Sequence, residues 1–200
     1  MSKNFYLCFI LYSVVVFNFS PLAQTKTNLE VFKELVDSSI SQIVSNENIS
    51  SDIFLAVNFS PSYQVLENQV YQSFSAQNKN IVNWNNPSGS VFLSYSLENA
   101  KVEYGEIFRD GFLGDQYLER KISLTGSWRL NKEAVITQDF HYEKIDTVLF
   151  SEIADIENYA YPFTKGTIPT EPFISNIFEP LVAVTTAAVV VVLFFTIRSK

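Results

Sequence analysis

Between Leu118 and Leu130 the side chains alternate without a break in phase. Leu118, Ile122, Leu124, Trp128 and Leu130 fall on one side, and Glu119, Lys121, Ser123, Thr125, Ser127 and Arg129 on the other. Period two with one apolar and one polar set specifies a long strand in a sheet with one buried and one wet face. Arg120 is the exception, a cation on the apolar side. Two readings fit it: a place near the strand's start, outside the core, which is preferred, or a buried pair with a carboxylate such as Glu103.

The elements around this strand follow from spacing and capping. Thr27 and Glu30 have the Thr-x-x-Glu spacing of a capping box. Leu29, Phe32, Leu35, Val36, Ile40, Ile43 and Val44 recur at three and four, which predicts an amphipathic helix ending near Val44. "IFLAVNF", from Ile53, is a short apolar strand. Ser60-Pro61 reads as an N-cap with proline at the first helical position, and Tyr63, Leu66, Val70 and Phe74 mark a second helix. "NIVNW", Asn80 to Trp84, completes a βαβ unit with parallel strands. After the turn "NNPSG", Val91, Leu93, Tyr95 and Leu97 alternate, with a bulge expected near Asn99 before Val102 and Tyr104. "RDGFLGD", from Arg109, reverses the chain into the strand described first. Ala134 to Glu143 reads as a further strand, and Ile145, Leu149, Ile153 and Ile156 as a return to helical spacing. Tyr161 to Pro172, with three prolines and a glycine, reads as a stiff linker. The expected fold class is therefore an α/β (α+β) two-layer domain: N-terminal helix, βαβ unit, antiparallel meander, and a C-terminal transmembrane helix.

Both ends of the chain are apolar. Leu181 to Ile197 carries no charge; as a helix it would rise roughly 25 Å, the lower edge of what spans a bilayer. Val189 to Phe195 is large and apolar on every side, which a terminal helix of a small soluble domain would not be. Arg198 and Lys200 follow it and can reach one interface. At the other end, Lys3 precedes an apolar run from Phe5 to Phe17 and a small-residue exit at Ala23, the layout of a secretory signal peptide. The expected organisation is a signal peptide at 1–23, an exported α/β domain at 28–158, a proline-containing linker at 159–180 and a transmembrane helix at 181–197. Positive residues after the span favour a cytoplasmic C-terminus and a domain on the periplasmic or extracellular side. Cys8 falls within the signal, so the exported portion contains no cysteine and no disulfide framework. "NIS" at Asn48 and "NFS" at Asn58 fit glycosylation acceptors, which bear only on a eukaryotic secretory route.

Charge and chemistry narrow the function. From Gln24 to Pro180, 11 basic residues face all 21 acidic ones, a net charge of −10, which repels phosphate backbones and argues against nucleic acid. There is no nucleophile elbow, P-loop, zinc-protease motif or dinucleotide fingerprint, and one histidine. Asp139, His141 and Glu143 share one side of their strand and could form a metal site, but stacked polar residues at every second position are what a solvated face looks like. Asp110 and Asp115 lack the ligand spacing of a calcium loop and read as turn residues. Ala183 and Ala187 form a small-xxx-small pair within the span, a weak helix-pairing pattern. No catalytic, cofactor-binding or metal residue set is expected, and no cofactor.

The order helix, βαβ, meander over Asn28 to Val148, carried by "DIFLAVNFSPSYQVLENQVYQSFSAQNKNIVNW" and "LERKISLTGSWRLNKEAVIT", resembles the α/β domain of curli-secretion (CsgG-like), flagellar FlgO-like and LpoB-like bacterial envelope proteins. The resemblance implies a membrane-anchored envelope accessory protein that works through protein–protein contact in assembly or secretion. Its partners would be membrane lipid, through Leu181 to Ile197, and an envelope protein. The alternative class is an exported hydrolase of cell-wall or polysaccharide substrate, which needs a cleft with two carboxylates about 5 to 10 Å apart.

Overall fold

A computed structural model describes residues 25–198 except 48, 50, 51, 83–90, 112, 113, 133, 171 and 172. The signal-peptide expectation at 1–23, Asn83 and Trp84 with the whole "NNPSG" turn, and Asn48 lie outside the described residues. The element order is α1 (Asn28–Glu47), β1 (Asp52–Asn58), a 3-10 turn (Pro61–Leu66) running into α2 (Glu67–Ala76), β2 (Asn80–Ile81), β3 (Val91–Arg109), β4 (Gln116–Asn131), β5 (Val135–Leu149), a short helical segment ending in α3 (Ile153–Ile156), a 3-10 turn (Pro162–Thr164) and α4 (Phe173–Arg198). The strands form one five-stranded sheet in the order β2-β1-β3-β4-β5.

The capping box forms as the spacing requires: the Thr27 amide donates to Glu30 Oε2 at 2.8 Å and the Glu30 amide to Thr27 Oγ1 at 3.3 Å. The buried stripe of α1 is Val31, Phe32, Leu35, Val36, Ile40 and Ile43, and the helix runs three residues beyond Val44, to Glu47. Ser60-Pro61 opens a 3-10 turn rather than an α-helix, and Ser60 makes no side-chain cap hydrogen bond. The α-helical part starts at Glu67 and buries Val70 and Phe74. β1 and β2 pair in parallel, Ile53 opposite Ile81, as a βαβ unit must. β1 also pairs in parallel with β3, and β3, β4 and β5 are antiparallel neighbours. Every apolar residue expected inward on β4 is buried: Leu118, Ile122, Leu124, Trp128 and Leu130. Both helices lie on that face, so the fold has two layers and its core sits between α1, α2 and the inner face of β1, β3 and β4.

The expected bulge is present as a register shift between Leu97 and Asn99. Opposite it stands Gly126, whose importance periodicity does not reveal. A Cβ there would lie 2.2 Å from the Ser96 carbonyl oxygen and 2.6 Å from the Phe140 ring. The missing side chain lets Phe140 cross over β4 and stack on the buried Tyr95 ring, with centroids 5.3 Å apart. The Tyr95 hydroxyl in turn shares a 2.7 Å hydrogen bond with Ser39 Oγ of α1.

Two expectations are corrected. Ile145 to Leu149 is strand, not helix: β5 pairs continuously with β4 as far as Tyr117 opposite Leu149. The four-residue spacing of Ile145 and Leu149 misled because Ile145 points to the wet face, where it is 53% exposed, while Val148 between them is buried. Helix begins only after Leu149, and Ile153 and Ile156 close over Leu118 and Val148 as a second small core. The stretch read as linker also begins with packed residues. Phe163 joins the main core edge-on to Phe32 and Tyr63, at 5.2 and 5.4 Å between centroids, and Thr164 is fully buried.

Among the described residues no helix is long and apolar enough to cross a membrane, so the fold lends the expected span no support. The side chains described in α4 run from Leu181 to Thr196, and their large apolar members are exposed.

Because both neighbours of a Gly126 Cβ are held in place, one by the β3 backbone and the other by ring stacking, Gly126→Ala should destabilise the domain by about 1–3 kcal/mol. Chemical denaturation of the variant checks this, and the paired change Gly126→Ala with Phe140→Leu should recover part of the loss.

Candidate functional site

Two regions stand out once the fold is built: a buried polar hub at the first half of β4, and the open edge made by β5. The hub centres on Arg120, which is 1% exposed. The guanidinium donates to both oxygens of Asp146, from Nε at 2.8 Å and from the second terminal nitrogen at 2.5 Å. Its other terminal nitrogen donates to the Lys26 carbonyl and to Asn28 Oδ1, both at 2.8 Å. Asn28, itself buried, uses its amide nitrogen to reach the Tyr104 hydroxyl at 2.9 Å and the Thr164 carbonyl at 2.7 Å. Burial pushes the Tyr104 phenol up to about 12, against the opposing pull of its Asn28 bond and with the Glu157 carboxylate adding to the rise.

Arg120 is thus in the core, contrary to the preferred expectation, and its partner is Asp146 rather than Glu103. Glu103 lies on the outer face, paired with Lys101. The signal for the true partner was in the register: Asp146 stands directly opposite Arg120 on β5. Reading residues 145–149 as helix hid it, since only strand alternation turns Asp146 inward.

The remaining candidates lie elsewhere. Asp139, His141 and Glu143 do share the outer face of β5, opposite Ser127, Thr125 and Ser123. They do not converge. Glu143 is held by Lys121 at 2.7 Å, with His141 at 3.6 Å, and the Lys121 hydrogen bond lowers the Glu143 carboxyl below its ordinary range. Among the described residues no cluster of His, Cys, Asp or Glu is arranged to hold a metal ion. Asp110 and Asp115 close the β3–β4 turn through a 3.1 Å backbone hydrogen bond, with Gly111 at φ 76°.

In one of the grooves the acids are occupied by internal bonding. This groove, beside α1, includes Glu30, Glu34 and Asp37. Glu30 closes the capping box, Glu34 binds Lys144 at 2.7 Å and Lys26, and Asp37 accepts from Gln69 at 2.7 Å and from Ser73. A second, between α1 and β5, is lined by Gln42, Asn46, Trp128, Gln138 and Tyr142 with Asp139 as its acid.

What stays open is the sheet itself. Among the described residues β5 has β4 on one side and no strand on the other. It is 15 residues long, without proline or glycine, and pairs with β4 without a register shift. Proline, glycine and a bulge, three devices that blunt natural edges, are thus missing from β5, while Lys144 and Asp146 turn charge to its inner side, where Glu34 and Arg120 pair with them. The outer face of the sheet carries a strip of small hydroxyl residues, Ser94, Ser96, Ser123, Thr125 and Ser127, all half-exposed.

No known protein family matches the sequence, and no curated protein does. Among solved structures the chain is similar to a minor lipoprotein from Acinetobacter baumannii, at 14% identity and a TM-score of 0.33, covering 51% of this chain and 68% of that one. It is also similar to the rare lipoprotein B from Shewanella oneidensis, at 16% identity and a TM-score of 0.32, covering 64% of this chain and 80% of that one. The curli-secretion, flagellar and LpoB-like proteins are not among these descriptions, and likeness at this level carries no inference about function.

Removing Asp146 strands a buried cation, so Asp146→Ala should cost about 3–5 kcal/mol, whereas Arg120→Met with Asp146→Leu should cost far less. Denaturation of the single and double variants measures the difference. The Lys144 and Lys26 bonds hold the Glu34 carboxyl below its ordinary value of 4.5. A lowered folded pKa stabilises the native state above the unfolded value and ceases to do so as pH falls through the folded one. Stability should therefore drop on acidification below about pH 4.5, and Glu34→Gln should flatten that part of the curve in pH-dependent melting.

Proposed function

We propose that this chain is a membrane-anchored cell-envelope accessory protein whose exported α/β domain works by binding other proteins. The observation that carries the reading is the open side of the sheet: among the described residues, a 15-residue edge strand without proline, glycine or bulge beside a hydroxyl-lined face. Anchoring rests on α4. In it Val189 to Phe195 are all more than half exposed. That much apolar surface needs a non-aqueous neighbour. The expected single pass over Leu181 to Ile197, with the domain on the periplasmic or extracellular side and the C-terminal side cytoplasmic, accounts for it.

A hydrolase reading finds less to stand on. A glycosidase acid needs a raised carboxyl, whereas Glu30 and Glu34 are both lowered by hydrogen bonds that the fold itself uses.

Anchoring is checked by alkaline carbonate extraction of full-length protein from membranes. The native chain should stay in the pellet, and Val190→Asp with Val192→Asp should move it to the supernatant. Release of the native chain would end the anchored reading. Crosslinking of the membrane-embedded protein should then recover an envelope assembly; activity on glycan with no crosslinked partner would favour the hydrolase.

A further inference from the structure

The edge strand is close to its own mirror in sequence. Counting outward from Tyr142, β5 places His141 against Glu143, Phe140 against Lys144, Gln138 against Asp146, Thr137 against Thr147, Ile136 against Val148 and Val135 against Leu149. Two copies of β5 running antiparallel about a two-fold axis at Tyr142 would set those residues opposite one another. Equal chemistry meets at both ends, imidazole meets carboxylate near the centre, and a glutamine amide faces a carboxylate. Asp139 opposite Ile145 is the one pairing with no attraction.

Neighbouring registers are worse. Moving the axis to His141 puts Asp139 opposite Glu143, and moving it to Glu143 puts that carboxylate opposite itself, both repulsive. A one-residue slip would pair inner with outer positions and send the helices to opposite sides of the sheet. Exposure agrees with this choice at the strand's ends. Among the described residues outside α4, six large apolar residues are exposed, and two of them, Val135 at 62% and Ile136 at 39%, adjoin on β5. Val135 and Ile136 fall at one end of the strand, where the two-fold brings Leu149 and Val148 of the other copy beside them.

We propose that β5 is a homodimer interface, pairing antiparallel with β5 of a second copy in the register that sets Tyr142 against Tyr142. The result is one continuous ten-stranded sheet with the helical layers of both copies on the same side. The hydroxyl-lined face of both copies then forms a single surface, available to the envelope partner proposed above. The dimer itself does not rest on that reading.

The test uses full-length protein in detergent, carrying Cys8→Ser so that no native thiol competes. Thr137→Cys and Thr147→Cys are exposed outer-face positions that should fold normally. Under mild oxidation, a mixture of the two variants should form a disulfide-linked dimer, and each alone should not, because like positions lie about 34 Å apart in this register. Light scattering should give twice the chain mass. His141→Glu should weaken the dimer about tenfold or more by facing two carboxylates, and adding Glu143→His should restore it. A monomer at all concentrations, or crosslinking of Thr137→Cys alone as fast as the mixture, overturns the proposal. Carbonate release of the chain, which would sink the anchored reading, leaves this readout untouched because the crosslink reports on β5 alone.

Discussion

A guanidinium with almost no access to water is the constraint around which this domain is arranged. A guanidinium has five N–H donors and no acceptor, so the chain must bring acceptors to Arg120. It draws them from β5 through Asp146, and from the entry to α1 through the Lys26 carbonyl and Asn28. Asn28 passes the linkage on to β3 at Tyr104 and to the C-terminal segment at Thr164. Such a hub adds little net stability compared with a well-packed apolar group. What it does is fix which elements meet. A domain whose second small core is only Leu118, Val148, Ile153 and Ile156 gains from having that end specified by directional bonds.

The opposite end is held differently. There Tyr95, Phe140 and Tyr142 form a line of aromatic rings across β3 and β5, and Gly126 leaves the room for them. Tyr95 and Tyr142 also bond to α1, at Ser39 and Gln42. The sheet is therefore pinned to its long helix by polar contacts at one end and by ring-backed hydroxyls at the other, while no described element covers its far face.

Much of this was legible in the residues. Capping, stripe and alternation specify α1, the βαβ unit and β4, because each rests on a local period that burial enforces. The bulge near Asn99 was legible from a break in phase. Three things were not. The strand character of 145–149 was hidden because an exposed Ile145 and a half-buried Leu149 imitate helical spacing. The place of Arg120 was missed for the same reason, since its partner lay in that stretch. The docking of Phe163 and Thr164 was masked by the prolines and glycine around them, which describe the backbone and say nothing of a single aromatic side chain finding a slot between Phe32 and Tyr63. As for the candidate site, the sequence showed that β5 would have a wet face, but not that β5 would be the last strand of the sheet. Edge position is a property of topology and has no local period.

The bond from Asn28 to Thr164 spans 136 residues, and it ties the start of α1 to the segment that follows α3. A nascent chain emerging from its start cannot seat α1 fully until residues 163 and 164 arrive. Closure at that end therefore depends on a contact of high sequence separation, the kind whose loop must be ordered before the contact can repay it.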